Sequence, residues 1–428
     1  MPAGVGRNGA FMSNRKRVSA VILSIILILS LSSCALLGAH GVTKSEVQQM
    51  LDNSMAGNVT VEGGDNYNVT INGVSLDNAV AGKALLSAVS IRCKFNVRTS
   101  SGFPYGSTVT EAASAGSGVI YKLDKNRGNA YIITNYHVVY DSSSITENGI
   151  SDSINVYLYG QESEAYAIPA AFVGGSMQYD IAILRVSGSR IIAESNATAV
   201  AFADSDDVSV LDQAIAVGNP EALGISATLG YINVDSEYIE MESMDGVGSI
   251  DLRVMRMDTA VNSGNSGGGL FNNKGDLIGI VNAKLASSEN VSYAIPSNLV
   301  KYVADNIMHY CDGTKYENVF RCYLGIEVTA SKMYTVYDLE SGKVHKREEV
   351  SVYAITSGGL ADGHLAVGDV INSITVDGIK YETNRIYSVT DPMINARVGS
   401  SVTINVKRGA EILDITITVT ESALTMMK

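Results

Sequence analysis

Between residues 82 and 310 the chain alternates short apolar runs with turn residues, and this rhythm restricts its fold more than any other feature. The runs include Gly118–Tyr121, Ala130–Thr134, Ile154–Leu158, Ile181–Leu184, Ala214–Val217 and Leu277–Val281. Gly, Asn, Asp and Ser separate them, which is the pattern of strands joined by tight turns in a barrel or sandwich. The 41 glycines, with abundant Val, Ile and Tyr, favour the same all-β-dominated reading. One helix interrupts the pattern: Ser297 to His309, with Ser297 as the expected cap and Leu299, Val300, Val303 and Ile307 as its apolar face.

A glycine-dense run, Asn262-Ser263-Gly264-Asn265-Ser266-Gly267-Gly268-Gly269, carries the chemistry. Glycines accept positive φ and lack a Cβ, so backbone N–H groups can converge beside the Ser266 hydroxyl. Acyl transfer needs that arrangement, a nucleophile with an anion-stabilising site at its shoulder. Upstream stand Thr134-Asn135-Tyr136-His137 and Tyr179-Asp180-Ile181. A serine hydroxyl needs an adjacent base, and an imidazole needs an orienting carboxylate. Taken singly, each has a structural alternative: a histidine ending a strand, an aspartate capping a turn, a serine lining one.

The first 33 residues read as a leader, with Arg15-Lys16-Arg17 ahead of the apolar core Val18–Leu31, and Met12 as an alternative start. Leu31-Ser32-Ser33-Cys34 resembles a lipobox, with Cys34 as the lipidated residue. The alternative is an uncleaved membrane helix, since Val18 to Ala39 is just long enough to span. Both place the remainder outside the cytoplasm at a membrane. The leader holds four basic and no acidic residues, so a mature chain is more acidic than the −13 of the whole sequence. Such a surface argues against nucleic acid and anionic headgroups as ligands. Cys93 reads as a buried thiol, and Cys311 with Cys322 as a candidate disulfide. No Cys/His spacing suggests a metal site, and no cofactor is implied. His40, His309, His345 and His364 lack partnering motifs, and the 14 methionines read as core filling.

Residues 34–81 form a membrane-proximal tether in which Asn58-Val59-Thr60-Val61 and Asn68-Val69-Thr70-Ile71 suggest a hairpin. Residues 82–310 form the main domain. Residues 318–428 form a second module, with strands expected at Cys322–Val328, Val350–Ile355, Val370–Val376 and Val402–Val406. A short helix is expected to begin at Asp391-Pro392.

Ordered blocks carry a family resemblance: Ala115-Gly116-Ser117-Gly118-Val119, Ile133-Thr134-Asn135-Tyr136-His137-Val138-Val139, Asp180-Ile181-Ala182-Ile183-Leu184, and Ala216-Val217-Gly218-Asn219-Pro220. Thr228–Ile232, Asp258–Asn262, the serine turn and Ser292–Pro296 follow. From about residue 84 onward the chain resembles the HtrA/Deg-type serine proteases, which join a trypsin-like domain to a C-terminal PDZ domain. The resemblance implies a chymotrypsin-like double β-barrel followed by a β-rich PDZ domain with short helices. It implies a His137, Asp180 and Ser266 triad and an oxyanion hole from the N–H groups of Gly264 and Ser266. It implies a substrate pocket bordered by Ile280, Val281, Asn282, Tyr293, Ala294 and Ile295. A PDZ groove would start at Tyr323, Leu324, Gly325 and Ile326, with a charged insert at about 329–349. The family usually has proline where Ser263 and Gly269 stand, so the serine turn here is expected to be less rigid. The implied function is endopeptidase cleavage of misfolded or damaged proteins in the cell envelope, with C-terminal peptides bound by the PDZ domain. Homotrimeric assembly goes with it. The alternative is a PDZ-dependent chaperone or scaffold with little proteolysis.

Overall fold

The computed structural model describes residues 59–62, 68–71, 74–76, 78–100, 107–284, 291–310 and 319–427. The leader, the Cys34 lipidation site and Cys311 lie outside the described residues. Among the described residues no helix is long and apolar enough to cross a membrane.

The N-terminal unit contains strands β1 (Val59–Glu62), β2 (Asn68–Ile71) and β3 (Val74–Leu76) in one antiparallel sheet. The two repeated segments pair with each other, Val59 opposite Ile71, and β3 adds a strand to the expected hairpin. Helix α1 spans Asn78–Ser87.

The main domain is two closed antiparallel barrels. The first contains β4 (Ala88–Ser100), β5 (Ser107–Asp124), β6 (Asn129–Thr134), β7 (Ser153–Leu158), β8 (Ile168–Ser176) and β9 (Ile181–Val186), closed in the order β4-β5-β6-β9-β8-β7. A single-turn helix α2 (Tyr136–Val139) follows β6, and α3 (Arg190–Glu194) follows β9. The second contains β10 (Gln213–Gly218), β11 (Ser226–Glu242), β12 (Ser249–Met257), β13 (Gly269–Phe271), β14 (Leu277–Lys284) and β15 (Ser292–Pro296), in the order β10-β11-β12-β15-β14-β13. Closure leaves no strand edge unpaired around either ring.

Strand alternation explains why several of these strands are apolar on both faces. In β9, Ala182 and Leu184 point into the first barrel, while Ile181 and Ile183 join a second core built also from Val217, Phe271 and Ile280. Helix α4 (Ser297–Tyr310) adds Leu299, Val300, Val303 and Ile307 to that second core. Each fully buried Ile or Leu contributes roughly 1.5–3 kcal/mol of transfer free energy, so the shared core is a strong cement between the barrels. Ser297 does not cap α4. Its hydroxyl donates to Ala203 O at 2.7 Å, and Ser205 Oγ accepts the Asn298 N–H at 3.1 Å instead.

The C-terminal module contains β16 (Val319–Cys322), β17 (Ile326–Tyr337), β18 (Val344–Ile355), β19 (Val370–Val376), β20 (Ile379–Glu382), helix α5 (Tyr387–Thr390), β21 (Ser401–Arg408), β22 (Glu411–Thr418) and β23 (Leu424–Met427). Its main sheet runs β17-β18-β19-β21-β22 with β20 on β19, while β16 pairs with β23. The charged insert is the outer part of the long β17–β18 hairpin. Its Lys343 reaches back to Asp212 at 2.6 Å, and Lys346 to Asp235 at 3.6 Å, so salt bridges hold the arm on the second barrel.

The expected helix start at Asp391 is corrected. Asp391 continues α5 into a 3-10 turn, Asp391–Ile394, with helical φ and ψ of its own. Its carboxylate lies 3.0 Å from Arg253 Nη2 rather than over a helix end. Cys322 is a buried free thiol, and Cys311, its partner in the disulfide considered above, lies outside the described residues. Cys93 is likewise buried and free.

Candidate active site

His137 sits on α2, where Tyr136, Val138 and Val139 are buried and the imidazole is left facing outward with 36% of its side chain exposed. Val138 packs beneath Gly116, where a Cβ would come within 2.6 Å of a valine methyl. Asn135 precedes the helix without capping it, and its Nδ2 donates to Asp180 O at 2.8 Å. That bond ties the histidine turn directly to the start of β9.

Asp180 is fully buried and sits at φ +49°, a left-handed conformation that a non-glycine residue holds at a cost of about 1–3 kcal/mol. The strain aims its carboxylate at α2. Oδ1 accepts the His137 backbone N–H at 3.0 Å, and Oδ2 is 2.7 Å from His137 Nδ1. An ionised carboxylate only accepts, so Nδ1 carries the proton and Nε2 keeps a free lone pair. Burial alone pulls the imidazole pKa down. The charge and hydrogen bond of Asp180 together outweigh it and leave the value raised.

A third donor reaches the same carboxylate. Asn282 Nδ2 donates to Asp180 Oδ2, while Asn282 O accepts the Ser266 hydroxyl at 3.0 Å. Among the described residues the Ser266 hydroxyl makes no hydrogen bond to His137. The serine turn nonetheless abuts the histidine segment: a Cβ on Gly267 would lie 3.0 Å from Asn135 N.

The turn itself is two consecutive reversals. Asn265 N donates to Asn262 O at 3.0 Å and Gly268 N to Asn265 O at 2.9 Å. Gly264 has φ +95° and occupies the third position of the first reversal, the type II geometry that demands glycine. Among the described residues no acceptor takes the N–H of Gly264 or of Ser266. A partly exposed hydroxyl thus stands in a turn with two unengaged donors, and that turn abuts the segment that carries the carboxylate-oriented imidazole.

The expected pocket residues do not share one wall. On β14, Ile280 belongs to the inter-barrel core and Val281 to the interior of the second barrel. On β15, Tyr293 and Ile295 face the former and Ala294 the latter. Neighbouring residues of a strand point to opposite faces, which divides these side chains between the two cores. The Asn282 side chain is committed to Asp180, and its carbonyl to Ser266.

In the C-terminal module Tyr323 is partly exposed and Leu324 is buried. Gly325 has φ +76° and packs against Gly359, where a Cβ would come within 2.8 Å of its Cα. Ile326 opens β17, the edge strand of its sheet. Among the described residues no acceptor takes the N–H of Leu324 or Gly325. Sequence reasoning gave no role to Ser117, Asn135 or Asn219, although all three stand in quoted blocks.

The chain is similar to known serine proteases. A family described as trypsin-like peptidase domain matches residues 116–280. The chain is 30% identical over 324 residues to the serine protease Do-like HtrA of Lactococcus lactis, covering 71% of this chain and 73% of that protein. It is 30% identical over 317 residues to the periplasmic serine endoprotease DegP of Escherichia coli, covering 72% of this chain and 57% of that one. A solved HtrA-type protease, AlgW with decapeptide, aligns with 80% of this chain and 97% of its own at 24% identity and a TM-score of 0.48. The chain belongs to the HtrA family of trypsin-like serine proteases and is a serine endopeptidase.

Proposed function

We propose that this protein is a membrane-tethered, extracytoplasmic endopeptidase that hydrolyses misfolded or damaged proteins through His137, Asp180 and Ser266. The observation that carries the reading is the buried Asp180 carboxylate holding His137 by Nδ1, which leaves Nε2 free beside the serine turn. Ser266 rotates from Asn282 O toward Nε2, gives up its proton to the imidazole, and attacks the scissile carbonyl carbon. The carbonyl oxygen becomes an oxyanion held by the N–H groups of Gly264 and Ser266, each worth about 3–4 kcal/mol in comparable sites. Collapse breaks the C–N bond, the imidazolium returns the proton to the leaving amine, and an acyl-serine remains. Water, deprotonated by the same imidazole, then releases the acid.

The resting bond from Ser266 to Asn282 O is a minor obstacle. A neutral hydrogen bond contributes about 0.5–1.5 kcal/mol net, small beside the 8 kcal/mol or more of barrier lowering in typical enzymes. The main domain is taken as 82–310. The module at 318–428 is read as a PDZ domain, with Leu324 and Gly325 N–H groups receiving a C-terminal carboxylate and β17 accepting the peptide as an added strand. No acidic residue lies at the pocket-base position near Ala260, so cleavage after small or medium apolar residues is expected and strict Arg or Lys preference is not. A lipidated Cys34 or an uncleaved helix supplies the tether, and a homotrimer is the proposed assembly.

Casein digestion tests the core of this: Ser266→Ala should abolish it, and equal digestion by both proteins removes the claim. The Ser266–Asn282 bond also favours a second reading, in which the resting protein binds chains as a chaperone or scaffold and cleaves only after rearrangement. Suppression of aggregation by Ser266→Ala, with slow casein turnover by the wild type, would favour that reading.

A further inference from the structure

We propose that Ser117 is a positioning residue that sets the oxyanion turn from the opposite barrel. The inference rests on the oxyanion role given above to Gly264 and Ser266. Ser117 lies on β5 and is fully buried. Its backbone N–H donates to Ser266 O at 2.8 Å, and its hydroxyl donates to Gly264 O at 2.6 Å. The same hydroxyl accepts the Asn219 N–H at 2.8 Å, so its one proton has no alternative but Gly264. Asn219 is itself fixed, donating to Ser90 Oγ at 2.6 Å and accepting the Gly224 N–H at 2.7 Å.

A trans peptide is planar, so its C=O and N–H point in opposite directions. Ser117 holds the carbonyls of Gly264 and Ser266. Gly268 N holds the carbonyl between them, on the peptide that carries the Ser266 N–H. The Gly264 N–H is on the same residue as the carbonyl that Ser117 holds, across a φ of +95°. The carbonyls of Gly264, Asn265 and Ser266 are thereby all held, and planarity points the Ser266 N–H away from the held Asn265 carbonyl. The prolines usual at positions 263 and 269 are absent here. A hydroxyl from the first barrel does the work of stiffening that those rings would do. Proline at 269 would not fit without shifts, since a Cβ there comes within 2.9 Å of Val119 Cγ1.

The test compares wild type, Ser117→Ala, Ser117→Cys, Ser90→Ala and Ser266→Ala on a short peptide substrate. Ser117→Ala should lower kcat by about 10- to 100-fold, a partial loss of one or both donors, with KM within about twofold. Affinity for a peptide boronate, whose tetrahedral adduct places an oxygen in the oxyanion site, should fall in parallel. The low-field proton resonance of the His137–Asp180 hydrogen bond should stay in place, since the triad is untouched. Ser117→Cys, a weaker donor of similar size, should fall between. Ser90→Ala removes a buried hydroxyl at the far end of the same network and should lower Tm while keeping kcat. A kcat for folded Ser117→Ala or Ser117→Cys equal to wild type overturns the inference, as does an equal kcat loss in Ser90→Ala. Full activity in Ser266→Ala would instead overturn the underlying serine mechanism.

Discussion

Ser266 and Asn282 are joined main chain to side chain: the serine hydroxyl donates to Asn282 O at 3.0 Å, while the Asn282 amide donates to Asp180. One residue therefore parks the nucleophile and braces the carboxylate that orients the base. Asn282→Asp would set a second carboxylate against Asp180 in a buried site. Leaving a buried charge without its donor costs more than about 1–3 kcal/mol, so kcat should fall by at least about 10-fold. Steady-state kinetics at neutral pH checks this, and unchanged kcat would show that the Asn282 amide is dispensable.

Asp180→Asn keeps the volume but removes the acceptor that selects the Nδ1–H tautomer. By comparison with other triads, kcat should drop by about 10⁴-fold. KM should change little, because the substituted group is fully buried and touches no substrate. A loss confined to KM would contradict the assignment.

The pH dependence has a definite sign. Burial lowers the His137 pKa, Asp180 raises it, and the net shift is upward. The base must be neutral to accept the serine proton, so kcat/KM should fall on acidification with a midpoint above the ordinary value of about 6.5. In Asp180→Asn the raising contribution is gone and the midpoint of residual activity should move down. Stability runs the other way. A raised folded pKa gives a contribution complete below the unfolded value and lost as pH rises through the folded one. The stability difference between wild type and His137→Ala should therefore narrow as pH rises from the ordinary value of about 6.5 through the raised folded one. A midpoint below 6.5 in the wild type would sink this account.

Arg253, buried on β12, stacks 3.9 Å over the Tyr387 ring and lies 3.0 Å from Asp391 and 3.7 Å from Asp206. Removing one partner of a buried charge cluster leaves the others unpaired, so Arg253→Ala should destabilise by about 3–5 kcal/mol. Adding Asp391→Asn should recover part of the loss. Denaturant unfolding of the three proteins decides it. A single-variant loss under about 1 kcal/mol would mean the cluster behaves as a surface pair.

Much of the fold was readable because its strands are short, apolar and punctuated, and every run named between Gly118 and Val281 falls within an observed strand. The two barrels follow from that rhythm and from the ordered blocks. What escaped was decided by tertiary partners. Ser297 and Asp391 carry good capping side chains, yet Ala203 O and Arg253 take them. Asn282 read only as pocket, because its bonds to Asp180 and Ser266 join residues far apart in the chain. At the candidate site, His137, Asp180 and Ser266 stood out by residue type and order. Ser117 did not, since a serine in a strand has no signal until the carbonyls it meets, 147 residues away, are in place.

Labelling with a fluorophosphonate probe, which esterifies only an activated serine, tests the central claim most directly. One equivalent should attach to wild-type protein, mapped by mass spectrometry to Ser266, with casein hydrolysis lost in proportion. His137→Ala and Ser266→Ala should take up none. Labelling at another residue, or undiminished labelling of His137→Ala, would contradict a mechanism in which this imidazole activates this hydroxyl.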